Sequence, residues 1–152
     1  MTEGVAPRVN GKAVLKDPPL VARIDRLMLA TVVGHFLITS AHAVLHLGAG
    51  VDLSVAQLAF VVVVIIALPL YAIYRHYRHR GTAGAVLLVV SMAASFLFGF
   101  SFHFFSGTGD NIAHVHGGWA LPFGVTAFAL TVVELFGTVL AGAVLRRRVR
   151  IS

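Results

Sequence analysis

Four long apolar stretches restrict what this chain can fold into. They lie at about 27–47, 54–74, 83–105 and 119–145. Each has about the 20 residues that a helix needs to cross the hydrocarbon core of a bilayer. Charged residues make up only 12% of the chain, about half the share usual in soluble domains. We therefore predict an all-α integral membrane protein, in which 27–145 forms one bundle of four transmembrane helices.

The charges between the spans predict how the bundle is oriented. Lysine and arginine occur in the N-terminal tail 1–26, in the loop 75–81 and in the basic tail 146–152. Neither residue occurs in the other two loops, 48–53 and 106–118. Because lysine and arginine mark cytoplasmic segments, we expect the N-terminus and the C-terminus in the cytoplasm. The expected location is the plasma (inner) membrane of a prokaryote.

Three local signals refine the span boundaries. Gly48 is suited to the C-terminus of the first helix. Ser54 and Gln57 have the spacing of a capping box at the start of the second. Pro69 should kink the second helix near its end.

Several function classes find no support in the sequence. The chain has no cysteine, which excludes disulfides, thiolate metal sites and covalently attached haem within it. The sequence has no serine–histidine–aspartate set, phosphate loop or carboxylate pair that would suggest a hydrolase or kinase. Whether the protein is an enzyme stays open. The basic residues flank apolar spans, so we expect them to orient the protein in lipid and not to bind nucleic acid.

The eight histidines are the main functional signal, because ionisable groups inside a membrane are costly and usually functional. The helical period places His35, His42 and His46 in one stripe, which should face the bundle interior. Other candidate ligands follow at the same outer end of the bundle. The full set expected there is His42, His46, His103, His114, His116 and Asp110.

This set predicts a metal or haem site. Imidazole and carboxylate groups ligate transition metals, and we expect copper, zinc or iron. Haem b held by His42 and His103 is an alternative, because bis-histidine haem needs two rings at one depth. The surplus of histidines favours a bare ion. The simplest alternative is that these histidines are interfacial residues with hydrated polar tips.

Glu134 is the only carboxylate well inside a span. His35 should lie at an overlapping depth, so the two are expected to form a buried polar pair. This pair could relay protons or could be a hydrogen bond that fixes helix packing.

These features leave three functional hypotheses open. The first is a histidine-rich membrane protein that binds a transition metal or haem for redox chemistry or metal handling. The second is a non-catalytic small subunit or assembly factor of a membrane complex. The third is a proton- or metal-ion-conducting bundle that uses Glu134 and His35. The expected partners are the lipid bilayer and either other membrane subunits or further copies of the chain.

Overall fold

Four long helices form the structure, a computed structural model that describes residues 18–79 and 81–149. Each is long and apolar enough to cross a membrane, which confirms the predicted all-helical, four-helix architecture. A single 3₁₀ turn, Gly117–Trp119, precedes the last of them. The helices are α1, Pro18–Ala49; α2, Val55–His79; α3, Thr82–Phe105; and α4, Ala120–Val149.

The ends of α1 and α4 extend beyond the predicted spans. The first helix begins at Pro18, well before Leu27. Proline is favoured in the first turn of a helix because amide hydrogens there have no partner within the helix. The arginines Arg146–Arg148 lie in the last turns of α4. The remaining parts of the two predicted tails, 1–17 and 150–152, lie outside the described residues.

The second helix is irregular near its middle. Its start has the predicted capping box, in which the Ser54 and Gln57 side chains each bond the other residue's backbone amide. Residues Val61–Ala67 then form a π-helix, just before Pro69. A proline ring clashes with the carbonyl group four residues earlier, and a widened turn relieves that clash. The widened turn thus lies directly before the proline at which the sequence predicts a kink.

The prediction that Gly48 ends the first helix was wrong. The residue in the left-handed conformation is Gly50, with φ at 65°. The amides of Gly50 and Val51 bond the carbonyls of Leu47 and His46, which is the Schellman pattern. Gly48 has a different role, since a Cβ atom there would lie 2.6 Å from the indole ring of Trp119.

The apolar core lies towards one end of the bundle. Helix α4 packs against α1 and α3, while the second half of α2 packs against α3. The first turns of α2, Val55–Phe60, have no buried residue. At that end α2 leaves a cavity of about 260 Å³. The main core cluster consists of Met28, Val32, Ala72, Ile73, Ala85, Leu88, Met92, Ala141 and Val144.

The basic segments meet at the end of the bundle that holds this core, which we call the basic end. The buried imidazole of His76 lies 2.8 Å from a carboxylate oxygen of Asp25. The Tyr77 hydroxyl donates to the Asp25 carbonyl, and Arg148 donates to the Gly81 carbonyl. These bonds join α1, α2, α4 and the loop before α3. We call the opposite end the histidine end.

Candidate metal centre

Four side chains converge at the histidine end. His42 and His46 come from α1, His103 from α3, and Asp110 from the loop that follows α3. All four are buried, and each offers one ligand atom within 4.8 Å of the others. We call this group the histidine cluster.

The three rings pack closely around a phenylalanine of α4. The His42 ring centroid is 4.8 Å from that of His46 and 4.7 Å from that of His103, with the rings nearly perpendicular. Phe123 is fully buried, and its ring centroid lies between 4.6 and 5.7 Å from the three imidazole centroids. The cluster therefore has an apolar wall that excludes water on the α4 side.

The end of α3 and its loop bring Asp110 back over His103. Residues Ser101–Phe105 form a π-helix, and such turns often occur at functional sites. The Asn111 side chain then donates a 2.7 Å hydrogen bond to the Ser106 carbonyl, which folds the loop towards the helix end. This fold buries Asp110, a residue that would otherwise face water.

The protonation of His42 follows from its hydrogen bonds. Its Nδ1 atom is 2.7 Å from the Thr126 hydroxyl oxygen. That hydroxyl donates its own hydrogen to the Pro122 and Phe123 carbonyls, at 2.9 and 3.0 Å. When the hydroxyl hydrogen points to either carbonyl, the Thr126 oxygen accepts from Nδ1–H of His42. A neutral imidazole with hydrogen on Nδ1 carries its lone pair on Nε2.

The other two histidines are held in the same way. His46 Nδ1 lies 3.4 Å from the Val51 carbonyl oxygen, and His103 Nδ1 lies 3.0 Å from the Asp110 carbonyl oxygen. A carbonyl can only accept, so Nδ1 donates in both cases, and in the neutral ring Nε2 has the lone pair. His103 Nδ1 also lies 3.1 Å from the Asp110 carboxylate oxygen Oδ1. Metal-binding histidines have this arrangement, with one ring nitrogen bonded to a protein oxygen and the other free for the ion.

The buried His42 Nε2 has no hydrogen bond among the described residues, and Asp110 Oδ1 lies 3.1 Å from His103 Nδ1. An unpaired buried polar group costs about 1–3 kcal/mol. Asp110 Oδ1 also lies 3.2 Å from His46 Nε2. Two ligands bound about 2.0–2.1 Å from a tetrahedral ion are about 3.3 Å apart. Asp110 Oδ1 and His46 Nε2 therefore have the spacing of two ligands of one cation.

Asp110 brings a negatively charged group to this site. Burial raises the pKa of the Asp110 carboxyl. The hydrogen bond to His103 and the nearby His46 and His42 rings lower this pKa by more, so it lies below the ordinary value. No lysine or arginine occurs in 27–74 or 82–145. Apart from the imidazoles, no cationic side chain of these segments can balance the carboxylate.

The structure places His114 and His116 outside the histidine cluster, and both are exposed. His114 Nδ1 lies 2.7 Å from the Thr108 carbonyl oxygen of the same loop. The fold of the loop explains this, because it turns at Asn111 and then leads outwards to α4.

Deeper in the bundle, His35 Nε2 lies 3.1 Å from Glu134 Oε1. Both side chains are buried, and the second carboxylate oxygen, Oε2, has no hydrogen bond among the described residues. Glu134 also lines the cavity that extends from the histidine cluster. The pair is therefore beside the same internal space as the candidate metal centre.

Sequence reasoning missed the groups that hold the three rings. Thr126 and Phe123 carry no signal of their own, because threonine and phenylalanine are common in apolar helices. The Val51 carbonyl depends on the turn that ends α1, and that turn was expected at Gly48. Comparison with known protein families, curated proteins and solved structures found no match.

Proposed function

We propose that this chain is an integral membrane protein that binds one transition-metal ion in the histidine cluster, on the side of the membrane away from the cytoplasm. The ion would be copper, zinc or iron in a site for metal handling. The proposed location is a prokaryotic plasma membrane, with the basic end in the cytoplasm. The lipid bilayer is the proposed partner of the outer surface.

The outer surface of the bundle supports insertion into lipid. Large apolar side chains on several helices are more than half exposed, among them Leu37, Val44, Phe128 and Val139. Exposure of such a surface to water would be unfavourable, because removing apolar area from water contributes about 25 cal/mol of free energy per Å². The arginines at the basic end support the proposed orientation through the positive-inside rule.

The orientation of the three imidazoles carries the proposal. Each has Nδ1 beside an oxygen of the protein, and the four side chains bring one ligand atom each to within 4.8 Å of one another. Three imidazoles and one carboxylate suit zinc, copper or iron. Copper(II) should bind more tightly than zinc, following the general order of divalent-metal affinities.

The number of protein ligands favours a site that holds an ion over a catalytic site that activates a water molecule. Catalytic zinc sites have three protein ligands and leave the fourth position to water or substrate. Here Asp110 supplies a fourth ligand from its own loop. A four-coordinate ion would then have no open position.

The close packing of the rings favours an ion over haem b. A bis-histidine haem places the porphyrin between its two axial imidazoles. The rings of His42 and His103 are in edge contact, with centroids 4.7 Å apart. They leave no gap for a porphyrin, and the His46 ring occupies the adjacent space.

Metal titration of the detergent-purified protein tests this function. We expect one equivalent of zinc or copper to bind, and His42→Ala with His103→Ala to weaken binding at least 100-fold. A matched control, His114→Ala with His116→Ala, removes two histidines from the same end and should leave the affinity unchanged. Absence of binding, or equal loss in both double variants, would contradict the proposal.

A further inference from the structure

A surface cleft of about 390 Å³ lies between α1 and α4 at the basic end. It shares no residue with the cavity at the histidine end. Each of the two helices contributes one arginine and apolar side chains to its walls. These residues are Arg23 and Leu27 on α1, and Leu140, Ala143, Val144 and Arg147 on α4.

The arginines lie at the outer end of this cleft, and the apolar residues lie nearer the middle of the bundle. Helix α1 begins at the basic end and α4 ends there. Leu27 is therefore one helical turn inwards from Arg23, and Leu140 is two turns inwards from Arg147. Both arginines are exposed, whereas Val144 is only 7% exposed and forms the floor of the cleft. The cleft is thus charged at one end and apolar along the rest of its length.

The positive charge of the cleft is not balanced within the described part of the chain. No described carboxylate lines the cleft. Asp25 is the one described carboxylate at the basic end, and it contacts the His76 ring on α2. Neither Arg23 nor Arg147 has an ion pair or a side-chain hydrogen bond to any described residue. The cleft therefore offers two guanidinium groups to an anion from outside the protein.

In the proposed membrane, both arginines lie at the level of the lipid headgroups. The apolar stretches begin at 27 on α1 and end at 145 on α4. Along the helix axis, Arg23 is about 6 Å beyond the first of these positions and Arg147 about 3 Å beyond the second. The headgroup region on each side of a bilayer is about 5–8 Å thick. The anion that is nearest to both arginines is therefore the phosphate group of a lipid.

We propose that this cleft binds one anionic phospholipid of the cytoplasmic leaflet; the inference rests on the proposed membrane placement and orientation of the protein. The phosphate group binds Arg23 and Arg147, whose planar guanidinium groups each offer a pair of N–H donors that match phosphate oxygens. One acyl chain packs against Leu27 and Leu140 over Val144. The lipid thereby joins the start of α1 to the end of α4.

The two arginines favour an anionic headgroup over a zwitterionic one. The positive charge of a choline group would face the same two guanidinium groups and would be repelled by them. Each basic residue near an anionic membrane surface strengthens binding about fivefold, which corresponds to about 1 kcal/mol. Two arginines should therefore give a preference of at least about tenfold for the anionic lipid.

Native mass spectrometry of the full-length, detergent-purified protein tests this lipid site. Phosphatidylglycerol and phosphatidylcholine with the same acyl chains would be titrated separately. Arg23→Gln with Arg147→Gln removes both charges of the cleft. Arg78→Gln with Arg146→Gln is the matched control, because it removes the same charge at the same end of the bundle from exposed residues that do not line the cleft.

We expect wild type and the control to bind one phosphatidylglycerol at least about tenfold more tightly than phosphatidylcholine. Arg23→Gln with Arg147→Gln should lose this preference and keep the wild-type melting temperature in detergent without added lipid, which would show that it is folded. Ala143→Leu narrows the cleft without a change of charge and should also weaken phosphatidylglycerol binding. Gly142→Leu should not, because Gly142 does not line the cleft and has no atom within 4 Å of its Cβ position.

The outcomes separate this inference from the proposed function. Equal affinity of the wild type for the two lipids, or an equal loss in the two double variants, would overturn the lipid site, as would displacement of the lipid by equimolar inorganic phosphate. Zinc titration of the same samples tests the metal centre separately, and selective lipid binding without zinc binding would overturn the metal centre alone. Failure of the protein to float with vesicles that contain phosphatidylglycerol would overturn the membrane placement and this inference with it.

Discussion

Replacing Thr126 with valine would test whether the hydroxyl of Thr126 orients a metal ligand. Valine has nearly the shape of threonine but cannot accept the Nδ1–H of His42, which lies 2.7 Å from the hydroxyl oxygen. Without that acceptor, hydrogen can shift to Nε2, the nitrogen that is proposed to bind the ion. The ring also loses the contact that fixes its rotation.

The expected loss follows from the behaviour of hydrogen bonds around bound metals. Removing such a partner typically weakens metal affinity 10–100-fold, which corresponds to about 1.4–2.7 kcal/mol. Competitive titration against a chromogenic zinc chelator would measure the change.

Thr138→Val is the matched control for this measurement. The hydroxyl of Thr138 donates to the Glu134 carbonyl within the same helix, so its loss should leave zinc affinity unchanged. Wild-type affinity in Thr126→Val, or an equal loss in the two variants, would refute the argument that Nδ1 donation prepares Nε2 for the ion.

Three further predictions concern stability and pH. Gly48→Ala should destabilise the protein by about 1–3 kcal/mol through overpacking against Trp119, whereas Gly34→Ala, with no atom within 4 Å, should not lower the melting temperature. Asp25→Ala should lower the melting temperature by removing the 2.8 Å partner of the buried His76 ring, at a cost of about 1–3 kcal/mol, with unchanged zinc affinity in a titration. Zinc affinity should fall between about pH 7 and pH 5 because protons compete for imidazole. The pKa of Asp110 is below its ordinary value, so this carboxylate stays ionised over that range and Asp110→Asn should weaken binding by the same factor at both pH values.

The helices could be predicted from sequence because their signals are local. An apolar run long enough to cross a bilayer indicates a span, and the capping box at Ser54 and Gln57 is a short motif. The end of α1 was harder, because Gly48 and Gly50 are both plausible terminators. Packing decides between them: the Trp119 ring lies against Gly48, and the left-handed turn falls at Gly50.

The candidate site could be predicted only as far as helix periodicity and depth allow. Those two properties put His42, His46 and His103 at one end of the bundle. They could not separate Asp110, which the loop buries, from His114 and His116, which the same loop leaves exposed. That difference depends on hydrogen bonds within the loop, and no spacing rule specifies them.

X-ray absorption at the zinc edge tests the metal centre most directly, using purified protein loaded with one equivalent of zinc. A site built by the histidine cluster should show four nitrogen or oxygen neighbours at about 2.0–2.1 Å, with the scattering pattern of three imidazoles. A spectrum with six oxygen neighbours, or with fewer than two imidazoles, would contradict the proposed site.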